Sequence, residues 1–493
     1  MPKIPVLLIG CGRMGHGIAR MLLQEQRRQN LSVSLWIYDP YQQAETRCQE
    51  DTQYLQLGAI HSLREYIPDE DQILLQKIIF QIEDNQKALQ QTYKILLNAL
   101  KQLSPVLLLN AATFHAQQLY ITLARAVQCD YIDLGQQLPS ISHLKQTDEE
   151  IKKNQEGVRI VQESGLAPGF ANILAVSMYK NALVESDLET VFSVQMRVGG
   201  LPQHTSKGGP LHYGPTFSPE GLLYEYEGQA IGLVNGKLVT TSTFTDPQYW
   251  EESEISPIHL GVKPFIVKSA SLVRILETRI HPKHRNISEE GFFLQGLQAR
   301  PTADGTSRMC FNPKFQKGVQ NLEYKTLRFS PHYQTWNSLK AEGLLEPMLK
   351  VWNDKINDAS LSGYPDMVLL RVWAQATQTS DPHLVELIVL HDEIPVGSIE
   401  GFTAMQHLTG WPTVLLAFTL LHNPSKTSTT SNTKMLQASG STTGFDRSIK
   451  NVLFEGGVIA PYELLDGAAL LKQLTSQNRI PFHQLIKYPN GPK

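Results

Sequence analysis

The hydrophobic pattern at the start of the chain predicts a strand, a helix and a second strand. Ile4–Ile9 is a short apolar run, which is typical of a buried parallel strand. A helical pattern follows, with Met14, Ile18 and Leu22 on one face. The next run, Val33–Tyr38, is rich in strand-forming residues. This order predicts a βαβ unit, which is the building block of a parallel sheet.

The alternation of strand and helix patterns continues to about residue 138. A helix-like, Gln-rich stretch leads to two further strand-like runs, Pro105–Leu109 and Asp130–Leu134. We therefore predict that residues 1–138 form an α/β domain with a doubly wound parallel sheet.

Beyond residue 138 the pattern changes to strands separated by turns, with a few helices. Asn235-Gly236 between two strand-like runs predicts a hairpin with a type I′ turn. We predict that residues 139–400 form a second, α+β domain with a mixed or antiparallel sheet. Its further predicted strands are Val191–Val198, Val262–Val267, Asp366–Trp373 and Leu384–Leu390.

Residues 401–493 are predicted to return to the first domain as helices. The helical patterns are Gly401–Leu421 and Asp466–Leu474. Residues 422–450 between them are rich in Ser, Thr and Asn, and we expect a flexible surface loop there.

Composition narrows the class of protein. The chain has 493 residues, of which 41% are hydrophobic and 18% charged, and its 44 Lys+Arg and 47 Asp+Glu leave a net charge near −3. We therefore expect no nucleic-acid partner. The four cysteines are widely spaced, which predicts neither a disulfide framework nor a metal site. The longest apolar stretch, Trp411–Leu421, is too short to cross a bilayer, so we expect no membrane association and a cytoplasmic protein.

The turn after the first strand has the sequence Gly-Cys-Gly-Arg-Met-Gly, a G-x-G-x-x-G motif, and Asp39 ends the second strand. In the Rossmann fold the first glycine allows a tight turn, the second lets the backbone approach a pyrophosphate, and the third allows close helix–strand packing. The helix N-terminus attracts phosphate, and the acid accepts the ribose hydroxyls. The residues predicted here to bind a dinucleotide are Gly10, Gly12, Arg13, Met14, Gly15 and Asp39.

Asp39 favours NAD as the cofactor, because a carboxylate repels a 2′-phosphate. The residues directly after it include no arginine. Arg47, in the next predicted helix, leaves NADP open as the alternative.

Polar residues also follow later strands of the predicted parallel sheet, where ligands bind in this fold. We expect Asn110, Ala111 and Thr113 to contact the nicotinamide end of the cofactor, and Asp133 to meet the substrate. The alternative for Asp133 is a structural role in capping the following segment.

Six further strings occur in a fixed order along the chain, and they are Tyr131–Gly135, Ser164–Gly169, Val198–Pro202, Phe217–Gly221, Glu323–Arg328 and Gly401–Met405. Together and in this order they resemble the saccharopine dehydrogenase-like family, with motifs most like its bacterial lysine 6-dehydrogenase branch. The resemblance implies a Rossmann domain, a second domain that binds substrate and supports a homodimer, and NAD(P)-linked oxidation of a C–N bond.

The implied chemistry requires a proton acceptor for the substrate ammonium and a fixed cation for a substrate carboxylate. We predict that Arg328 binds the substrate carboxylate. The alternative is that Arg328 forms an ion pair at a domain interface. Candidate acid/base residues are Asp133, Lys325 and His332, and candidate substrate contacts are Glu220 and Tyr324. The structural alternative for Lys325 is an exposed surface lysine. For Glu220 it is an acid that stabilises the first turn of a helix.

Two departures from the family pattern concern the substrate. Glu163-Ser164 stands where many relatives have Asp-Cys, and Ser330-Pro331-His332 replaces Pro-Gly-His. The first hypothesis is oxidative deamination of lysine at its side-chain amine. The second is a saccharopine or carboxylated-polyamine dehydrogenase, which needs another cation for the additional carboxylate. The third is an NAD-binding sensor or scaffold without turnover. Candidates for that second cation are Arg197, Lys207 and Arg371.

Overall fold

The structure, a computed structural model, divides into two compact units. The first comprises residues Met1–Phe170, Ile394–Gly401 and Thr409–Asp466, and the second comprises Ala171–Glu393, Phe402–Leu408 and Gly467–Lys493. The residues that it describes are 3–82, 85–112, 114–135, 140–184, 192–202, 211–214, 216–244, 297–329, 331–357, 366–376, 383–390, 401–423, 456–476, 479 and 485–488.

The first unit is built on a sheet in which every pairing is parallel, with the strand order β14-β6-β5-β4-β1-β2-β3. Its central strands are buried, and every residue of β1 is below a tenth exposed. The order reverses between β1 and β4, which is the switch point of a Rossmann sheet. The strands are β1 (Ile4–Ile9), β2 (Val33–Tyr38), β3 (Ile60–Ser62), β4 (Leu107–Asn110), β5 (Asp130–Asp133), β6 (Arg159–Val161) and β14 (Gly457–Ile459).

Amphipathic helices connect these strands. In α1, Ile18, Met21 and Leu22 are buried, while Arg27 and Arg28 near its C-terminus are exposed. The helices of the first unit are α1 (Arg13–Gln29), α2 (Gln42–Tyr54), α3 (Asp69–Ile78), α4 (Gln86–Leu103), α5 (Gln117–Ala126), α6 (Ser140–Asn154), α13 (Pro461–Leu464) and the greater part of α12 (Ala404–His422).

The parallel sheet extends beyond residue 138, where the sequence placed the end of the first domain. Its outer strands β6 and β14 are three residues each and pair from Gly457 with Arg159 to Ile459 with Val161. Strands this short carry too little pattern to be recognised from sequence. The C-terminal part of the chain therefore contributes the strand β14 as well as helices to the first unit, whereas the sequence predicted helices alone.

The second unit contains a mixed sheet, as the sequence predicts. Its order is β15-β13-β12-β7-β11-β8-β9, and β10 pairs with β11. β7 and β11 are parallel neighbours, and the other pairings are antiparallel. The strands are β7 (Phe192–Pro202), β8 (Gln229–Val234), β9 (Lys237–Ser242), β10 (Leu297–Arg300), β11 (Val319–Phe329), β12 (Asp366–Ala376), β13 (His383–Leu390) and β15 (Leu485–Tyr488).

The β8–β9 hairpin confirms its sequence signal. Asn235 and Gly236 have φ values of 50° and 74°, as the two central positions of a type I′ turn require. The predicted strand Val262–Val267 lies outside the described residues, as do residues 424–450 of the predicted loop.

The last helix belongs to the second unit, which corrects the expectation that it returns to the first domain. A Cβ on Gly467, its first residue, would lie 2.7 Å from the Ser177 Cβ and 3.0 Å from the Ile173 carbonyl oxygen of α7. The glycine therefore permits close packing of these helices. The helices of the second unit are α7 (Phe170–Val184), α8 (Pro219–Glu227), α9 (Pro313–Gly318), α10 (His332–Ala341), α11 (Leu345–Asn357), the start of α12 and α14 (Gly467–Ser476).

A buried ion pair fixes the outer part of the parallel sheet. Arg159 in β6 is 1% exposed, and its Nε donates to Asp130 Oδ1 of β5 at 3.1 Å. It also donates to the carbonyl oxygens of Leu420 and Asn423 at the end of α12. Removing one partner of such a pair leaves an uncompensated buried charge.

We therefore expect Arg159→Met to reduce stability by ~3–5 kcal/mol, because Asp130 would remain buried without its cation. The matched control is Arg125→Met, whose pair with Glu150 and Glu156 is partly exposed, for which we expect ~1 kcal/mol or less. Apparent melting temperatures measured by calorimetry provide the comparison, and equal losses in the two variants would contradict the account.

Candidate functional site

The glycine loop of the first unit combines two crowded positions with one open position. Gly10 has φ +90°, and a Cβ there would lie 2.6 Å from the Ala112 nitrogen. A Cβ on Gly15 would lie 1.8 Å from the Gly10 carbonyl oxygen, so α1 packs directly on the turn. A Cβ on Gly12 would meet nothing within 4 Å. The open space over Gly12 is where the fold lets a backbone approach a pyrophosphate.

The N-terminus of α1 lies at this open position. Gly12 is the N-cap and is exposed, and Arg13 and Met14 are partly exposed. The first helical turn has no acidic residue, so its N–H groups and positive dipole face no carboxylate of that turn. These are the features that bind phosphate at a helix N-terminus.

Asp39 is held beside the loop by backbone N–H groups. Its Oδ2 accepts from the Cys11 N–H at 2.7 Å, and its Oδ1 accepts from the Tyr41 N–H at 2.8 Å. Burial raises the pKa of Asp39, while these two hydrogen bonds and the nearby charges of Arg64 and Arg47 act in the opposite direction. Each oxygen keeps lone-pair capacity for a hydroxyl donor.

A buried ion pair supports the backbone around Asp39. Glu45 accepts from the Asp39 N–H at 2.7 Å and from Arg64 Nε at 3.1 Å. Arg64 Nη2 donates to the Asp39 carbonyl oxygen at 2.5 Å and to that of Pro40 at 3.1 Å. Glu45 and Arg64 were not among the residues singled out from sequence, because their role depends on contacts 6 to 25 positions apart.

The turn after β4 closes against the glycine loop. The Ala111 N–H donates to the Ile9 carbonyl oxygen at 2.8 Å, and Asn110 Oδ1 accepts from the Ala112 N–H at 3.1 Å. Asn110 Nδ2 donates to the Tyr131 hydroxyl at 3.1 Å, so both ends of its amide are engaged within the fold. Thr113 lies outside the described residues.

Asp133, at the end of β5, is 2% exposed, and its carboxylate accepts hydrogen bonds from two glutamine side chains and a backbone N–H. Gln117 Nε2 and Gln162 Nε2 donate to its Oδ2 at 2.6 and 2.9 Å, and the Glu163 N–H donates to its Oδ1 at 3.1 Å. Burial raises its pKa to about 7 despite these hydrogen bonds. The carboxylate therefore joins the ends of β5 and β6 and titrates near neutral pH. The two glutamines were not found from sequence.

Arg328 lies in β11 of the second unit and is 2% exposed. Its Nε donates to the Tyr226 hydroxyl at 2.6 Å and its Nη1 donates to the Leu327 carbonyl oxygen at 2.9 Å. The Glu225 carboxylate is farther away, with its oxygens 3.4 and 3.5 Å from Nη2. The guanidinium lies 4.7 Å from the centre of the Tyr213 ring. The sequence missed Glu225 and Tyr226, although Tyr226 shares the buried face of Leu222 one helical turn earlier.

His332 is tied to Arg328 through Tyr226. Its Nε2 lies 2.8 Å from the Tyr226 hydroxyl and its Nδ1 lies 2.9 Å from the Leu211 carbonyl oxygen. Burial, together with the charge of Arg328, lowers the pKa of His332 to about 3. The ring is therefore neutral at ordinary pH. Because the carbonyl must accept from Nδ1–H, Nε2 is left to accept from the tyrosine hydroxyl.

Lys325 projects from the opposite face of β11 to Arg328, since side chains alternate along a strand. Its Nζ lies 3.4 Å from Glu323 Oε1, and Arg197 pairs with the same carboxylate. Burial alone would raise the pKa of Glu323, but the charges of Arg197 and Lys325 lower it below its ordinary value. Lys325 is 5% exposed, so it is not the surface lysine of the structural alternative.

Tyr324 and Glu220 differ in their surroundings. Tyr324 shares a face of β11 with Arg328 and is 6% exposed, and its hydroxyl oxygen lies 3.4 Å from that of Thr326. Glu220 is an exposed acid in the first turn of α8, where it can stabilise the helix as the structural alternative predicts. The acid of this helix that reaches the arginine is Glu225.

The chain belongs to the saccharopine dehydrogenase C-terminal domain family, whose sequence profile matches residues 165–437, more than half of the chain. Over 114 residues it is 31% identical to the mitochondrial alpha-aminoadipic semialdehyde synthase of Rattus norvegicus. That alignment covers 22% of this chain and only 12% of the rat protein.

The fold is shared with a solved structure of apo histidine-tagged saccharopine dehydrogenase (L-Glu forming) from Saccharomyces cerevisiae. The TM-score is 0.55 at 14% sequence identity, and the match covers 99% of each chain. Among the described residues, no helix is both long and apolar enough to cross a membrane. Within the same residues, no group of three or more His, Cys, Asp or Glu side chains could hold a metal ion.

Two glycine variants distinguish a glycine that leaves room for a ligand from one that is needed for packing. We expect Gly12→Ala to leave the melting temperature unchanged, because its φ of −66° suits alanine and the added Cβ meets no protein atom. If a pyrophosphate occupies that space, the Kd for NADH should rise about tenfold, because one overpacked methyl group costs about 1 kcal/mol or more. Gly15→Ala should lower the melting temperature instead, through its clash with Gly10. NADH fluorescence titration and thermal melting measure both effects, and unweakened binding by Gly12→Ala would contradict the assignment.

Asp133 should make stability depend on pH in a definite direction. Its pKa rises from 3.8 in the unfolded chain to about 7 in the folded protein, so between these values the folded state binds a proton that the unfolded state has released. Its contribution to stability therefore falls as the pH rises from about 4 to about 7.

Asp133→Asn removes this titration. Gln162 can turn its amide to accept from the new asparagine, because its Oε1 has no hydrogen-bond partner among the described atoms. We expect the melting temperature of the unaltered protein, minus that of the variant, to be smaller at pH 8 than at pH 5. An equal difference at both pH values would show that Asp133 does not titrate in this range.

Proposed function

We propose that this protein is an NAD-dependent dehydrogenase that oxidises a C–N bond of an amino acid, with the side-chain amine of lysine as the first substrate. The observation that carries the cofactor assignment is the open space over Gly12, at the switch point between β1 and β4 and beside the exposed start of α1. Membership of the saccharopine dehydrogenase C-terminal domain family supports an amino-acid substrate.

The residues of the glycine loop and Asp39 fit a dinucleotide. Gly12 and the N-terminus of α1 would hold the pyrophosphate, and the Asp39 carboxylate would accept from the adenosine ribose hydroxyls. When bound, a nicotinamide cofactor supplies the hydride acceptor. NAD is proposed over NADP because Asp39 would repel a 2′-phosphate, even though Arg47 lies close enough to lower the pKa of Asp39.

Asp133 is the proposed proton acceptor among the three candidates. Its pKa of about 7 suits a group that takes a proton from an ammonium near neutral pH. His332 has a pKa of about 3 and protein partners on both ring nitrogens. Lys325 lies beside Glu323, whose carboxylate stabilises the charged ammonium form.

Arg328 is the proposed partner of a substrate carboxylate. A guanidinium carries five N–H donors in a fixed fork, which suits two-pronged binding of a carboxylate. The Tyr226 hydroxyl accepts from Nε, and the Leu327 carbonyl oxygen accepts from Nη1. A second N–H donor therefore remains on Nη1, while Nη2 makes only long contacts to the two oxygens of Glu225.

The second candidate is a substrate with an additional carboxylate, such as saccharopine or a carboxylated polyamine. Arg197 and Arg371 are directly paired in register on β7 and β12, and Lys325 pairs with Arg197 on the other side. Each arginine lies 5.3 Å from the centre of the Trp373 ring. This row of cations on one sheet face supports the alternative. Lys207, the other candidate for a second cation, lies outside the described residues.

The test is nicotinamide reduction by the purified protein, with NAD and NADP in parallel, against lysine, saccharopine, diamines and other amino acids. We expect reduction of NAD with lysine. Reduction only with saccharopine and NADP would favour the second candidate and contradict the interpretation of Asp39. Cofactor binding without reduction by any substrate would contradict the dehydrogenase assignment and favour an NAD-binding sensor or scaffold.

A further inference from the structure

The Arg328 guanidinium makes a short hydrogen bond at Nε and only long contacts at Nη2. The Tyr226 hydroxyl accepts from Nε at 2.6 Å, and the neutral His332 ring orients that hydroxyl. The two oxygens of Glu225 are 3.4 and 3.5 Å from Nη2, whereas charge-assisted N–H···O bonds are typically ~2.7–2.9 Å long. The guanidinium is thus fixed at Nε, while its ion pair at Nη2 is long. The terminal nitrogens can therefore bind a second carboxylate.

Glu225 is positioned by a different group. The Thr326 hydroxyl donates to its Oε1 at 2.6 Å, and Thr326 lies on the same face of β11 as Arg328. The Glu225 side chain is 17% exposed, against 3% for Arg328. The Glu225 carboxylate is therefore fixed beside the Arg328 guanidinium by Thr326, without a short hydrogen bond to the guanidinium. It also lies nearer to solvent.

We infer that Glu225 and Arg328 together bind the head group of an α-amino acid, with Arg328 taking its carboxylate and Glu225 its ammonium. A zwitterion presents two opposite charges a few bonds apart, which complements an acid and a base fixed side by side. The inference rests on the proposed function and makes Glu225 a determinant of substrate class. A substrate that lacks the ammonium would lose the charge-assisted hydrogen bond to Glu225, and one that lacks the carboxylate would lose that to Arg328, so each should bind more weakly.

The first test uses the unaltered protein with NAD and three matched amines. These are L-lysine, 6-aminohexanoate, which lacks the α-ammonium, and 1,5-diaminopentane, which lacks the carboxylate. Hydrogen bonds between charged groups contribute enough to make kcat/KM about 10- to 100-fold lower for each analogue. Equal kcat/KM for lysine and 6-aminohexanoate would overturn the role of Glu225.

The second test uses Glu225→Gln, with Glu227→Gln as the matched control two positions along the same helix. Glu227 is 41% exposed and pairs with Lys340 on the surface. We expect Glu225→Gln to raise the KM for lysine about 10-fold or more, with little change in kcat, and to leave 6-aminohexanoate unaffected. The control should change neither substrate. A loss by Glu225→Gln that is equal for lysine and 6-aminohexanoate would show a structural role and overturn the inference.

Binding measured without turnover distinguishes this inference from the proposed function. In calorimetric titrations with NADH present, the unaltered protein should bind lysine at least about 10-fold more tightly than 6-aminohexanoate, and Glu225→Gln should remove the difference. Selective binding without NAD reduction would contradict the dehydrogenase assignment while supporting the head-group site. Binding of both ligands with equal affinity, or of neither, would overturn the head-group site.

Discussion

The close approach of Gly15 to the Gly10 carbonyl oxygen is the constraint on which the glycine-loop end of the first unit depends. No side chain fits between them, since even a Cβ on Gly15 would lie 1.8 Å from that oxygen. The approach seats α1 on the end of β1, and Gly10 in turn lies against the backbone of residues 111 and 112 after β4. The helix N-terminus is thereby fixed beside the switch point of the sheet, where this fold binds dinucleotides.

Buried charge is the corresponding constraint in the second unit. β11 carries Arg328 on one face and Lys325 on the other, both buried and both beside a carboxylate. Burying charges is costly unless they are paired, and such pairs add little to stability compared with apolar packing. Each cation of this strand is therefore buried together with its counter-charge. The aromatic rings of Tyr213 and Tyr226 lie 4.7 and 5.6 Å from the Arg328 guanidinium and limit the water around it.

The sequence predicts the first unit better than the second because the evidence there is local. The βαβ unit, the glycine motif and Asp39 fall within the first 39 residues, and each is recognised by its position relative to its neighbours. β11 was not predicted as a strand, since polar residues on both of its faces hide the alternation that marks one. β6 and β14 are too short to give a pattern. Glu225 was missed because its partners, Thr326 and Arg328, lie about a hundred positions away in the chain.

The proposed chemistry has a direct isotopic test. The protein would be mixed with NAD and with lysine that carries deuterium at either C6 or C2, and the mass of the reduced cofactor would be measured. We expect deuterium transfer from C6 and none from C2, because the head group is held at Arg328 and Glu225 while the side-chain amine reacts. Transfer from C2 would contradict this assignment, and unreduced cofactor in both mixtures would contradict oxidation of lysine altogether.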